Sequence, residues 1–281
     1  MVPPIYPATD DARISQALSN WRQWSRQQPK LIRRLPGESH LNLLVSDGGR
    51  LRVVKCWRAS SPHGADFAVC AAIQAEMAGH DLTPALLYQG DKILVSDYCA
   101  GDTFDIRQHQ HLLPVLGDII AQVHAMAPVC VVPELDLASH LENFVTLLQN
   151  HPDTTAGLAD LAWQALHRVD RFLPDQTEPA FCHNDLNPAN IIVSGNTLQL
   201  LDWEYAALGN PLFDLAVFCH EAALSEQQQA ALLHSCLPAL SPSQLQAMLL
   251  VYDLLQILWR HLYAAARQDT LNLMRVLLQD L

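Results

Sequence analysis

Apolar and polar positions alternate in three short β-prone runs between residues 30 and 57: "KLIRRL", "HLNLLV" and "LRVVKCW". A period of two marks half-buried strands. The "SDGGR" joining the last two runs is a hairpin signal, because Asp-Gly-Gly tolerates the left-handed backbone of a tight two-residue turn. Ahead of them, residues 10–28 carry Trp21 and Trp24 among polar neighbours at helical spacing, which predicts a leading amphipathic helix. "ADFAVCAAIQAEMAGH" reads as an Ala-rich helix stopped by Gly79, followed by two more strands in "ALLYQGD" and "KILVSDYC". A five-stranded antiparallel sheet with one helix thus fills residues 30–98.

Beyond Gly101 the period changes to that of long helices, at roughly 109–126, 136–150, 156–173, 212–223, 226–236, 242–266 and 269–280. Between the third and fourth of these lie two short apolar runs, "NIIV" and "LQLL", that pair as a hairpin around Ser194 to Asn196. The predicted class is α+β: a small antiparallel lobe over residues 1–98, then a larger helical lobe over 99–281. No internal repeat or low-complexity linker interrupts this division.

Charge and composition narrow the partners. A formal net charge of −12 and a pI near 5.4, with no cluster of Lys and Arg, argue against a protein that tracks nucleic-acid phosphates and leave a cationic small molecule possible. The N-terminal "MVPPIYPATDDAR" lacks the basic and apolar regions of a secretory signal. The most apolar stretch, "LLVYDLLQILWRHLYAAA" from Leu249, is broken by Asp253, Arg260 and His261, so it predicts a core helix and not a membrane span. Seven scattered Cys without a CxxC pair read as reduced thiols, and the expected location is cytoplasmic. No pattern sets the oligomeric state.

The candidate chemistry is concentrated in "FCHNDLNPANIIV" (181–193) and "LQLLDWEYA" (198–206). Asp185 and Asn190 stand five positions apart across a Pro-containing turn, and Asp202 follows an apolar strand. A carboxylate, an amide carbonyl and a second carboxylate suit a hard, water-retaining cation such as Mg²⁺ that shares substrate phosphates. They do not suit zinc: Cys182 and His183 are adjacent and ill placed to meet one tetrahedral ion. A strand-borne Lys, Lys55, lies about 130 residues upstream of Asp185, with Glu76 in the following helix placed to pair with it. Lys, then Asp, Asn and Asp in this order is the layout of kinase-type phosphoryl transfer.

On these motifs residues 33–265 resemble the superfamily of choline/ethanolamine kinases, thiamine kinases and aminoglycoside phosphotransferases, with its protein-kinase-like bilobal fold. "HND" and "LLDWEYA" look nearer the choline and thiamine kinase branch than the aminoglycoside branch, whose loop more often reads His-Gly-Asp. The resemblance implies an ATP- and Mg²⁺-dependent kinase acting on a small-molecule alcohol, without nucleic-acid or membrane partners. It implies Asp185 as catalytic base with His183 bracing its loop, Asn190 and Asp202 as Mg²⁺ ligands, Lys55 on the nucleotide phosphates, and Glu76 orienting Lys55. Asp214 would hold the catalytic loop from behind, and the backbone around Asp97, Tyr98 and Cys99 would meet adenine.

The phosphate-covering turn "RLPGESHLN" has one Gly, so Ser39 and backbone groups are expected to take the place of a Gly-rich loop. Trp203, Glu204 and Tyr205 follow the metal ligand directly, and with Trp259 they are the expected acceptor site for a cationic alcohol such as thiamine or choline. Taken alone, Trp259 reads as core. The alternatives are an aminoglycoside- or sugar-type kinase, a non-catalytic pseudokinase, and a metal-dependent phosphohydrolase, which would leave Lys55 and Glu76 unexplained. His124 and His220 are given no partner by the sequence.

Overall fold

The computed structural model describes residues 10–37, 40–57, 66–128, 130–171, 178–263 and 269–281. Helix α1 (Asp10–Ser19) is followed by a 3₁₀ turn at Trp21–Gln23, so the long leading helix expected over 10–28 stops early. Ser19 and Asn20 are weak helix formers, and Trp24 beyond them packs against the sheet core.

The sheet runs in the order β1-β2-β3-β5-β4: β1 (Lys30–Leu35), β2 (Leu41–Asp47), β3 (Arg50–Cys56), β5 (Ile93–Asp97) and β4 (Leu86–Gly90), all antiparallel. Edge strand β1 is exposed along most of its length and carries Arg33 and Arg34, charges that discourage pairing with another chain. Asp47 pairs with Arg50 across Gly48 and Gly49, whose φ values of 60° and 85° require left-handed backbone and explain the glycines.

One face of the sheet buries Leu41, Leu43, Val45, Val54, Cys56, Ile93 and Val95 with Ala17 of α1. The other carries Leu94 and Trp57 against Phe67, Cys70 and Ala71 of α2 (Phe67–Gly79). Lys55 alternates with Val54 and Cys56 and pairs with Leu94, so side-chain parity turns it to the α2 face. The α2 N-terminus is capped by Asp66, whose carboxylate accepts from the Ala68 amide at 2.8 Å.

The remaining elements are β6 (Asp102–Thr103), α3 (Ile106–His109), α4 (Leu113–His124), α5 (Leu137–Gln149), α6 (Leu158–Val169), β7 (Ala180–Cys182), β8 (Ile191–Ser194), β9 (Thr197–Leu200), β10 (Ala207–Gly209), α7 (Pro211–Glu221), α8 (Glu226–Cys236), α9 (Pro242–Tyr263) and α10 (Thr270–Asp280). β8 and β9 form the expected hairpin, β6 adds to β8, and β7 pairs with β10. A Cβ on Gly101 would come within 2.2 Å of the Val193 carbonyl, so only glycine lets the chain reach β8 to form β6.

The chain divides into two compact units: residues 1–104, 128–132 and 189–206 form the first, and 105–127, 133–188 and 207–281 the second. The expected cut at 98/99 divides the chain once, whereas these units interleave. The strand β6 and the Leu200 amide, which donates to the Leu82 carbonyl at 2.8 Å, attach the β8–β9 hairpin to the first unit. The second unit is helical, with a core that includes Leu116, Ile120, Leu141, Phe144, Ala162, Leu215, Phe218 and Leu254.

Candidate active site

In the first unit, β9 delivers Asp202 in left-handed conformation, φ 64° and ψ 65°, as the N-cap of a 3₁₀ turn at Trp203–Tyr205. This is a sparsely populated conformation for a residue with a Cβ, tolerated by Asp better than by most, and it fixes the direction of the carboxylate. Lys55 Nζ lies 2.5 Å from Asp202 Oδ1. Burial acts to lower the ammonium's pKa, but the charges of Asp202 and Glu204 outweigh it and hold Lys55 above its ordinary value.

Glu204 is buried, and its Oε2 stands 2.5 Å from Nε2 of His40, which is buried too. His40 stacks on Trp57 with ring centroids 3.8 Å apart, and the Lys55 ammonium sits 5.1 Å from the same indole. Beneath them burial pushes the Cys70 thiol up to about 12, which leaves it protonated and inert. The Asn190 carbonyl accepts from the Leu201 amide at 2.7 Å, so the residue on one arm of the hairpin is tied to the immediate neighbour of Asp202 on the other. Asn190 and Asp202 thereby share the open end of the hairpin. The Asp202 side chain keeps 31% exposure, and this all-oxygen donor pair fits Mg²⁺.

In the second unit, β7 runs into His183-Asn184-Asp185. Asp214, in the first turn of α7, is 1% exposed. Its two oxygens accept from the amides of His183 (2.9 Å) and Asn184 (2.6 Å) and are met by His124 Nε2 at 2.9 Å. Burial pushes this carboxyl up, but the His124 and backbone hydrogen bonds prevail and hold it below its usual range. Asn184 has φ 60°, the left-handed backbone for which Gly and Asn are the usual choices. The next residue, Asp185, is half-buried: its amide donates to His183 Nδ1 at 3.3 Å, and its Oδ1 accepts from Asn187 Nδ2 at 3.0 Å. The loop therefore presents one accessible carboxylate from a rigid base.

Near Asp185 stands a second polar group on α7 and α9. Tyr252 donates to Glu221 Oε1 at 3.0 Å and accepts from Gln256 Nε2. Its phenol is pushed up by burial first, then by the negative charge of Glu221, with Asp185 contributing. His220 bridges two carboxylates, Nδ1 to Glu221 at 3.3 Å and Nε2 to Asp253 at 3.1 Å, and its pKa is raised to about 9 by these hydrogen bonds. The His220 ring meets the Tyr252 ring edge-on at 5.2 Å.

Residues 31–248 match the family model described as "Phosphotransferase enzyme family". The chain belongs to this phosphotransferase family. Protein LicA of Haemophilus influenzae is 44% identical over 54 residues, covering 19% of this chain and 20% of LicA. Probable choline kinase 3 of Arabidopsis thaliana is 32% identical over 80 residues, 27% of this chain and 23% of that protein. The matched stretches thus span about a fifth to a quarter of these relatives' length.

Solved structures of this phosphotransferase fold extend over nearly the whole chain. Choline kinase LicA from Streptococcus pneumoniae superposes with a TM-score of 0.76 at 16% identity, covering 97% of this chain and 98% of that one. The streptomycin-ATP-APH(2")-IIa ternary complex gives 0.64 at 14% identity, covering 98% and 97%. At such identities the likeness is one of fold, and it matches the expected bilobal, protein-kinase-like class.

The expected site residues of this phosphotransferase divide by unit. Lys55, Glu76, Asp97, Tyr98, Cys99, Asn190, Asp202, Trp203, Glu204 and Tyr205 lie in the first, and His183, Asp185, Asp214 and Trp259 in the second. Glu76 is half-buried on α2, and Lys55 forms an ion pair with Asp202. Asp97 ends β5 and is held by Arg52, while the Tyr98 amide donates to the Leu51 carbonyl at 3.3 Å. Ser39 lies outside the described residues.

Glu204, expected to face an acceptor, instead turns its carboxylate to buried His40, because the 3₁₀ turn rolls it under the Lys55 side of the first unit. Trp203 is buried, and Trp259 is half-buried with its ring tilted against Tyr263 at 6.0 Å. His124 and His220, for which the sequence names no partner, both have carboxylate partners. The missed signal was Asp253, an acid in the middle of an otherwise apolar helical run.

Proposed function

We propose that the chain transfers the γ-phosphoryl group of ATP to the hydroxyl of a small cationic alcohol, with choline as the favoured example. The observation that supports this best is the Glu221–His220–Asp253 group beside Asp185: an acidic surface with side chains about one-third exposed, backed by the buried Tyr252 ring, next to an accessible carboxylate. An onium group is stabilised by carboxylates and an aromatic ring together, whereas a neutral sugar gains nothing from the excess negative charge. The stretches shared with LicA and with choline kinase 3 favour the same acceptor.

In this reading Asp185 is the base. It orients the hydroxyl and accepts its proton as the alcohol oxygen bonds to the γ-phosphorus and the bond from that phosphorus to the β–γ bridging oxygen breaks. Asp214, by fixing the consecutive amides of His183 and Asn184, keeps that carboxylate in line. Lys55 neutralises phosphate charge in the first unit, with His40 and Glu204 restraining the surface on which it rests and Glu76 available from α2. Asn190 and Asp202 would hold Mg²⁺, which when bound screens the charge of the phosphates. Asp97, Tyr98 and Cys99 remain the proposed adenine contact.

The acceptor contacts first assigned to Trp203, Glu204, Tyr205 and Trp259 pass, in this proposal, to Tyr252, Glu221 and Asp253. The test is ADP release by the purified protein with ATP, Mg²⁺ and, in turn, choline, thiamine, glucose and kanamycin. Choline is expected to support turnover, EDTA to abolish it, and Glu221→Gln and Tyr252→Leu to raise KM for choline at least several-fold with little change in KM for ATP. Turnover on glucose or kanamycin alone, or undiminished turnover in excess EDTA, would overturn the proposal.

A further inference from the structure

Three elements of the first unit meet at one buried polar pair. His40, on the connection from β1 to β2, is 2% exposed and Glu204, in the turn that follows Asp202, is 3% exposed, with Nε2 and Oε2 standing 2.5 Å apart. The imidazole stacks on Trp57, just past the end of β3, and Trp57 meets Phe67 of α2 edge-on at 5.6 Å. The Glu204 carbonyl accepts from the Cys70 thiol of α2 at 4.0 Å. On the other side of His40, the Asn42 side-chain amide donates to the Pro36 carbonyl at 3.3 Å, and Asn42 pairs with Lys55 across β2 and β3. The connection expected to cover the phosphates, the lysine that neutralises them and the turn that begins at Asp202 are therefore joined through His40 and Glu204.

We propose that His40 is a positioning residue for the nucleotide phosphates: through Glu204 it fixes the β1–β2 connection against the 3₁₀ turn at Trp203–Tyr205, and so sets where Lys55 and Asp202 meet the phosphates and their metal. This rests on the nucleotide assignment made above. Stability is not what the pair supplies, because taking both groups out of water costs about as much as their attraction returns. The apolar contacts of Trp57, Phe67, Cys70, Ala71 and Leu94 already join the sheet to α2. Direction is what it supplies: an imidazole and a carboxylate in contact have one favourable arrangement, whereas apolar side chains of the same volume lose uniqueness before they lose stability. Asp202 is the N-cap of the turn that Glu204 anchors, so a shift of that anchor turns the Asp202 carboxylate with it.

Calorimetric binding of Mg²⁺-ATP and of AMP separates this role from a structural one. His40→Phe combined with Glu204→Met removes the pair without leaving a buried charge and keeps a ring on Trp57, so the variant should melt near the wild-type temperature. Its Kd for Mg²⁺-ATP should rise about ten-fold or more, the usual effect of removing a group that orients a metal ligand. Its Kd for AMP, which brings one phosphate and needs no metal, should rise much less. His40→Gln, whose amide nitrogen reaches the same carboxylate, should bind Mg²⁺-ATP nearly as the wild type does, and His40→Asn, which falls short of it, should not. These two single variants carry the test if the double variant fails to fold.

A folded double variant with wild-type affinity for Mg²⁺-ATP would overturn the inference, and so would equal losses for Mg²⁺-ATP and AMP or equal affinities in the Gln and Asn variants. A wild type that binds neither nucleotide would overturn it together with the function on which it rests. The predicted losses in a protein that releases no ADP with choline would sustain it while refuting the choice of acceptor.

Discussion

Replacing Asp214 should unfasten the loop that carries Asp185. Asp214→Ala leaves two buried backbone amides, those of His183 and Asn184, without acceptors, and strips His124 of its carboxylate. Each orphaned buried amide costs about 1–3 kcal/mol. Loss of the charged partner brings the expected total to about 3–6 kcal/mol, a large share of the roughly 5–15 kcal/mol that holds a domain folded. Asp214→Asn keeps one acceptor oxygen but points an NH₂ group at the second amide, so about 2–4 kcal/mol is expected. The assay is urea unfolding followed by tryptophan fluorescence, with hydrogen exchange at the Asn184 amide as a local probe and turnover as a third readout. The single variants His124→Phe and Asp214→Asn, combined in a double-mutant cycle, should show coupling of about 1–3 kcal/mol. A loss below about 1 kcal/mol in Asp214→Ala, with Asn184 still protected, would refute the view that this carboxylate organises the loop.

Asp185→Asn should preserve fold and nucleotide binding while lowering turnover by on the order of 10²–10⁴, the usual worth of a positioned proton acceptor; near-normal turnover would remove Asp185 from that role. At position 184, with φ 60°, Asn184→Gly should change thermal stability by less than about 1 kcal/mol, whereas Asn184→Val should cost about 1–2 kcal/mol or more, and equal melting temperatures would show that the backbone there is not constrained. His220 has a raised folded pKa, so its stabilising contribution is complete below its unfolded value near 6.5 and disappears as pH rises through about 9. With the side chain 36% exposed, solvent screening holds that contribution to about 1 kcal/mol or less; wild type should exceed His220→Gln in Tm at pH 6 and match it at pH 10.

The strands and the hairpins were legible because alternation and turn glycines are local signals: "SDGGR" becomes Gly48 and Gly49 in left-handed backbone, and "NIIV" with "LQLL" becomes β8 and β9. β6 and β10, two and three residues long, are too short to display a period and exist only because a partner strand is nearby. The identities at 183–185, 190 and 202 announced a polar site, but the sequence could not reveal who would meet them. Asp214 and His124 are 90 positions apart, and His40 finds Glu204 across most of the first unit's length. Position 202 followed by Trp-Glu-Tyr suggested an aromatic acceptor wall; a 3₁₀ turn beginning at a left-handed residue sends Trp203 and Glu204 inward instead. The signal that did exist for the α7–α9 network, Asp253 within apolar α9, was read as evidence against a membrane span and taken no further.

The interleaving of the first unit sets a schedule for biosynthesis. Lys55 and its partner Asp202 are 147 positions apart, so a ribosome adding about 5–20 residues per second takes roughly 7–30 s to supply the carboxylate after the lysine has been made. Until then β6 has no β8 to pair with and Lys55 has no Asp202. A nascent chain stalled before residue 206 should therefore be readily cleaved by protease, and release of the following segment should protect the N-terminal region as a step and not gradually. A fragment ending at residue 104 would lack Asp202, β8 and β9, and it should therefore unfold at lower urea concentration than the intact chain.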